Sequence, residues 1–272
     1  MGTKKGNSLV NVLIGWLSKK SLKVKIFLGI LFALFALVIL DIIVKDKSYF
    51  FVASEAVYIA GTIVLLYKLF RHKTCSGVSL KTQELMALFL AARLTCSISI
   101  EANLHTWLDF TSLVSVLLVI WMIRFKLKSS YIKELDNLRL SFVVVPCAII
   151  AILIHPTTIQ SHFSRALWAF SVYLEAISVL PQLRYMQNAK MIETFTGKYV
   201  FALGVSKFLG LAHWLIQIYK TRGAYFYLIG SGFFWFTVGF VAEIVQSFIL
   251  ADFCYYYIKS YMQGQLLRKM PV

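Results

Sequence analysis

The run from Leu85 to Ile100, LMALFLAARLTCSISI, poses the problem of this chain: an arginine, Arg93, stands in the middle of an otherwise apolar stretch. Whether that run crosses a membrane is decided by the rest of the sequence. Of 272 residues 59% are hydrophobic, the mean hydropathy is +0.75, and only four are proline. A soluble domain of this length cannot bury so much apolar surface, so the chain reads as an integral membrane protein. Its apolar runs are continuous and about 20 residues long, which makes them helices and not the ten-residue alternating strands of a barrel. The first run, Ile26 to Val44, is too long for a signal-peptide core and lacks a small-x-small exit, so no cleavable signal is expected.

Eight runs emerge, near residues 26–44, 49–69, 84–101, 107–124, 140–155, 165–184, 199–219 and 233–258. The net charge of +16 lies in the short loops between them. That distribution argues for a lipid bilayer and against nucleic acid as the partner. Twenty-one Lys and Arg residues fall on one side of an eight-span arrangement and five on the other, with Arg93 and Lys207 inside spans. The basic side is the cytosolic one, so both termini are expected in the cytosol. The organisation expected is a basic cytosolic tail (1–25), an additional span (26–48), a seven-helix domain (49–258) and a cytosolic tail (259–272). In the N-terminal tail Leu9, Val12, Leu13, Trp16 and Leu17 recur at helical spacing beside lysines. This pattern fits an amphipathic surface helix and equally a plain basic flank. Gly2 lacks the usual Ser or Thr partner at Gly6 for myristoylation.

Cys96, Cys147 and Cys254 fall in spans and Cys75 in a basic loop, without metal-ligand spacing, so neither a disulfide framework nor a metal site is expected. No nucleophile with its base and no phosphate loop is recognisable, and neither an enzyme nor a cofactor is expected. Two segments resemble each other, IVLLYKLFRHK followed by TCSGVSLKTQ and VLPQLRYMQNA followed by KMIETFTGKY. Ser79 and Thr196, 117 residues apart, stand at equivalent places, each suited to cap the next helix. Parallel three-helix repeats joined by a linking helix are expected, spans two to four and six to eight with span five as linker.

An arginine at mid-span costs about 2.5–3.5 kcal/mol on insertion scales, so Arg93 should face the bundle interior with partners. Glu55, Glu175, Lys207, Glu243 and Asp252 also lie at membrane depth, whereas Asp41 and Asp109 sit near span ends, where snorkelling is cheap. Lys207 and Asp252 read as a buried ion pair holding two helices together. Arg93 and Glu175 belong to different repeats and would meet at the repeat interface, where such folds bind ligands. Trp121, Trp168 and Trp214 fit interfacial belting, and His213 fits a packing residue.

Several strings resemble the KDEL receptor family: CSGVSLKTQ (75–83), FLAARLTCSIS (89–99), RLSFVVVPC (139–147), LWAFSVYLEAISVLPQLRYMQ (167–187) and ADFCYYYI (251–258). The resemblance covers roughly residues 51 to 265. It implies a PQ-loop or SWEET-like seven-span fold in Golgi and endoplasmic reticulum membranes. Its expected function is to bind C-terminal Lys-Asp-Glu-Leu signals of lumenal proteins, more tightly in mild acid, and return them to the endoplasmic reticulum. The family arginine that grips the terminal carboxylate falls on Arg93, the cavity tryptophan on Trp168 and the buried glutamate of the pH response on Glu175. Lys207 replaces a basic residue, and Trp214 and Asp252 match. Other positions depart: the pH-sensing histidine falls on Tyr58, an arginine on Phe51, the aspartate of the lysine pocket on Cys96, tyrosines on Ser206 and Gly210, an asparagine on His213 and an arginine on Gln217. Losing two arginines removes charge-assisted contacts worth about 1.5–3 kcal/mol each. The ligand-binding set expected is therefore Arg93, Trp168, Glu175, His213 and Trp214, in a receptor with altered or lost signal preference. A small-solute or proton-coupled transporter and a trafficking partner without ligand are the alternatives. In the tail, Arg268 and Lys269 would serve capture by vesicle coat proteins.

Overall fold

The structure, a computed structural model, describes residues 48–100, 104–157, 161–189, 191–222 and 234–262. The N-terminal tail, nearly all of the additional span with Asp41, most of the aromatic stretch after Tyr225, and the sorting pair Arg268 and Lys269 lie outside the described residues. The described residues form helices and no strand. In chain order these are α1 (Ser48–His72), α2 (Leu80–Ile100), α3 (Leu104–Trp121), α4 (Ser141–Leu153), α5 (His162–Ile177), α6 (Leu180–Asn188), α7 (Thr194–Lys220) and α8 (Trp235–Met262). A π turn at Met122–Lys126 and a 3-10 turn at Lys128–Ser130 follow α3.

Among the described residues, five segments are long and apolar enough to cross a membrane: Phe50–His72, Thr106–Lys126, His162–Asn188, Thr194–Lys220 and Trp235–Tyr261. Helix α4, with 13 residues and Pro146 inside it, is roughly 20 Å long, short of a hydrocarbon core of about 30 Å. The outward faces are apolar: Phe248 is 79% exposed, Leu153 74% and Phe142 71%. Water would not tolerate such a surface, whereas lipid does.

Packing closes six of the helices into a ring. Going round it, α1 packs on α3, α3 on α2, α2 on α5, α5 on α8, α8 on α7, and α7 back on α1, while α4 leans on α5 from outside. Small residues set the closest approaches, as expected where lipid offers no hydrophobic drive to association. A Cβ placed on Gly61 of α1 would sit 2.8 Å from the Cβ of Ala202 on α7. Neither atom can swing aside, so Gly61→Val is expected to push the helices apart and destabilise by about 1–3 kcal/mol. Thermal unfolding in detergent checks this, with the outward-facing Ile63→Ala as a variant expected to change little.

At one end of the ring the loops are tied by buried polar groups. Ser79 caps α2, its Oγ accepting from the Thr82 amide at 3.1 Å and donating to Asp136 Oδ1 at 2.8 Å. Asp136 also accepts from the Lys81 amide and the Tyr131 hydroxyl, and Gln182 of α6 bridges the Ser79 amide and the Gly77 carbonyl. The expected match between Ser79 and Thr196 fails as a capping match. Helix α7 already begins at Thr194, and the Thr196 hydroxyl instead accepts from Lys68 at 2.9 Å. Lys68 is fully buried, also donates to the Ser76 carbonyl at 2.5 Å and pairs with Glu193. Cys75 lies buried in the same knot, with its thiol toward the Leu127 carbonyl at 3.3 Å. Burial pushes that thiol above its usual pKa. Maleimide is therefore expected to label Cys75 only after unfolding, which a comparison of labelling in native detergent and in denaturant measures.

Candidate ligand site at the centre of the ring

Each of the six ring helices turns one ionisable side chain inward: Glu55 from α1, Arg93 from α2, Asp109 from α3, Glu175 from α5, Lys207 from α7 and Glu243 from α8. Register puts most of them at similar depth. Glu55 lies seven residues from the start of α1, Arg93 seven from the end of α2, Asp109 five from the start of α3 and Glu243 eight from the start of α8. At 1.5 Å per residue they sit roughly 10 Å inside the ring. Glu175 and Lys207 lie deeper, each 13 residues from its helix end on that side. Helix α5 stops at Ile177, just beyond Glu175, and α6 starts at Leu180 with Pro181 in its first turn; the Glu175 carbonyl accepts from both the Ser178 amide at 3.3 Å and the Ser178 hydroxyl at 2.9 Å. Broken helices of this kind are tolerated at membrane depth where protein surrounds them.

Arg93 holds the cluster together. Its Nε and Nη2 donate to Asp109 Oδ1 at 2.9 and 2.5 Å, its Nη1 to Glu175 Oε2 at 2.9 Å, and its Nη2 reaches Glu55 Oε1 at 3.5 Å. Lys207 pairs with the other oxygen of Glu175. The side chains are nearly buried, 11% exposed for Arg93 and 6% for Asp109. One guanidinium thus ties three carboxylates from three helices, which its planar fork permits and an ammonium does not. Beneath the cluster, Tyr58, Met86, Glu175, Lys207, Gln246 and Leu250 line a small cavity. About 10 Å³ of it is open to the centre of a water molecule, room for one water and not for a peptide.

The expected residues are placed as follows. Arg93 and Glu175 meet as read from the sequence. Lys207 joins them instead of Asp252, which is exposed on α8. The reason is helical phase: Leu250 and Cys254 face α7 at Gly204, and Asp252, two residues from each, points to the opposite side. Trp168 is half-buried two turns before Glu175 on the same face of α5. Trp214 packs on Phe236 and Phe240 of α8, with ring centroids 5.1 and 6.5 Å away, and His213 stands edge-on to Phe51 at 6.1 Å. At the family positions that depart, the Tyr58 hydroxyl contacts the Met86 sulfur at 3.7 Å and the Cys96 thiol the Ser164 carbonyl at 3.5 Å. Asp109 was expected to be a cheap span-end residue, yet it is buried and is the closest partner of Arg93. The expected run began near residue 107, which put Asp109 at its end, whereas the helix starts at Leu104 and carries it a turn and a half inside.

A polytopic helical membrane protein with a six-helix ring and an ion cluster at its centre is the class that this architecture defines. Residues 74–217 match the family described as ER lumen protein retaining receptor. The chain is 34% identical over 223 residues to an ER lumen protein-retaining receptor of Petunia hybrida, covering 81% of this chain and 98% of the relative. It is 34% identical to receptor B of Arabidopsis thaliana, over 81% of this chain and 98% of that one. With receptor erd-2.2 of Caenorhabditis elegans it shares 31% identity over 83% of this chain and all of the other. The chain belongs to the ER lumen protein retaining receptor family.

Proposed function

We propose that this protein is a receptor of the early secretory pathway that binds C-terminal retention signals of the Lys-Asp-Glu-Leu kind and retrieves their bearers from Golgi to endoplasmic reticulum. The observation that carries the reading is Arg93: a buried guanidinium at the ring centre, at the position where the family resemblance puts the carboxylate anchor. Its contact to Glu55, at 3.5 Å, is the longest of the set and is the one that a ligand's terminal carboxylate would replace. Two cations stand among four carboxylates, so an entering carboxylate is favoured when one of those acids is displaced or protonated. Binding stronger at about pH 5.5 than at 7.4 follows. Trp168, six residues inside α5, would line the path to Arg93, Glu175 would hold the guanidinium from beneath, and His213 and Trp214 belong to the wall formed by α7.

The ring order supports the repeat arrangement. From α1 it reads first, third, second helix of one triplet (α1, α3, α2), then first, third, second of the next (α5, α8, α7). Each triplet supplies acids from its first and third helices and a base from its second. With α4 as linker this order fits the PQ-loop plan, and the charge bias supports the reading of eight spans with both termini cytosolic. Arg268 and Lys269 would then meet coat proteins on the cytosolic side.

The test is retrieval in cells depleted of their own receptors. Expression of this chain is expected to stop secretion of a lumenal reporter ending in Lys-Asp-Glu-Leu, and the Arg93→Lys variant is expected to fail. Continued secretion with correctly located wild-type protein would sink the receptor reading and move a small-solute transporter forward.

A further inference from the structure

Away from the ion cluster, two imidazoles meet at the end of the ring from which that cluster is nearest. His155 follows Ile154, the C-cap of α4, and His162 opens α5. Their Nε2 atoms are 3.0 Å apart, their ring centroids 4.4 Å, and their planes stand at 80°. His155 is half-buried and His162 exposed, so solvent reaches both.

The backbone beneath the pair is tied down. The Ile154 amide donates to the Ile150 carbonyl at 2.7 Å, and the Ile154 carbonyl accepts from the Tyr173 hydroxyl of α5 at 2.9 Å. Ser161 caps α5, its Oγ accepting from the Ser164 amide at 3.3 Å. His155 Nδ1 lies 3.2 Å from the Pro156 carbonyl. A carbonyl can only accept, so in the neutral ring the proton sits on Nδ1 and Nε2 keeps its lone pair. A backbone carbonyl on one ring nitrogen is a common partner of a histidine whose other nitrogen holds a metal ion.

The spacing of the rings carries this further. A first-row metal ion about 2.0–2.1 Å from each of two imidazole nitrogens at right angles would set those nitrogens about 2.9 Å apart and the ring centres about 4.5 Å apart. A straight N–H···N bond of the observed length would set the ring centres about 5.3 Å apart. The observed centroids fit the first arrangement. Nitrogen and oxygen donors at right angles suit copper(II) and nickel(II). Among the described residues no third histidine, cysteine or carboxylate completes a metal set, so water would fill the other positions.

We propose that His155 and His162 form a surface site for a divalent transition-metal ion, which bridges the end of α4 to the start of α5. The site does not depend on the receptor reading.

In the experiment Cu2+ is titrated into the purified full chain, freed of any affinity tag, at about pH 7.4. Calorimetry reads the affinity, and electron paramagnetic resonance counts the nitrogen donors. Wild type is expected to bind one Cu2+ here through two nitrogens. His155→Ala and His162→Ala are each expected to weaken binding more than about tenfold, since even the outer partners of metal ligands are worth about 10–100-fold. His72→Ala, at the other end of α1, is expected to leave the affinity unchanged. The wild-type spectrum needs no substitution, so it decides the question if a variant fails to fold. Unchanged affinity in either His155→Ala or His162→Ala, an equal loss in His72→Ala, or a wild-type spectrum without two nitrogen donors overturns the site.

Discussion

Replacing Arg93 with leucine is expected to cost about 3–5 kcal/mol of stability and to abolish signal binding, the largest single effect in the molecule. The magnitude comes from what stays behind. Asp109, Glu55 and Glu175 would remain in a nearly dry ring with Lys207 alone to answer them, and a buried pair broken on one side leaves an uncompensated charge. The effect therefore belongs to the orphaned acids more than to the lost arginine. Two further variants separate the two. Arg93→Leu combined with Asp109→Leu is expected to be more stable than Arg93→Leu alone, because the closest orphan has gone with its partner. Arg93→Lys keeps the charge but has no planar fork to serve three carboxylates, and is expected to fall between wild type and leucine. Chemical unfolding in mixed micelles gives the order. A double variant less stable than the single one would mean that the cluster does not hold the ring in the way described.

The second large effect is expected at the opposite end of the ring. Lys68 is fully buried and is shared by Glu193, the Thr196 hydroxyl and the Ser76 carbonyl. Lys68→Met removes a charged donor from three acceptors, and a cost of about 3 kcal/mol is expected. Glu193→Ala should cost a similar amount, because it leaves the lysine buried without its counter-charge. Together the two changes should cost less than their sum, by more than about 1 kcal/mol, since residues in one network are not additive. Strict additivity in thermal or denaturant unfolding would contradict the pairing.

Much of this was legible from composition and periodicity. The apolar runs that fall on described residues foretold helices close to the observed ones, the seventh run at 199–219 falling inside α7, Thr194–Lys220. Arg93 and Glu175 were readable as partners because a charge at mid-span has to be answered from another helix. Partners on a chosen helix face were harder. Depth alone allowed Lys207 to meet Asp252, but depth says nothing of phase, and the side of α8 that packs on Gly204 excludes Asp252. Asp109 was missed because its distance from a helix end was judged from an approximate boundary. Helix α3 starts at Leu104, early enough to carry Asp109 past the reach of snorkelling. The cap on α2 at Ser79 could be read from residue type and spacing. The role of Thr196 could not, because it depends on Lys68, 128 residues away in the chain.

The most direct measurement of the receptor reading uses the chemistry that Arg93 selects. Binding of a labelled Lys-Asp-Glu-Leu tetrapeptide to the purified protein at about pH 5.5 is compared with that of the same peptide amidated at its C-terminus. Only the free acid presents a carboxylate to the guanidinium. The expected result is saturable binding of the free acid, weaker at about pH 7.4, with the amide bound at least tenfold less tightly, the scale of a lost charge-assisted contact. Equal binding of acid and amide, or binding of neither to folded protein, would contradict a carboxylate anchor at Arg93 and with it the retrieval function.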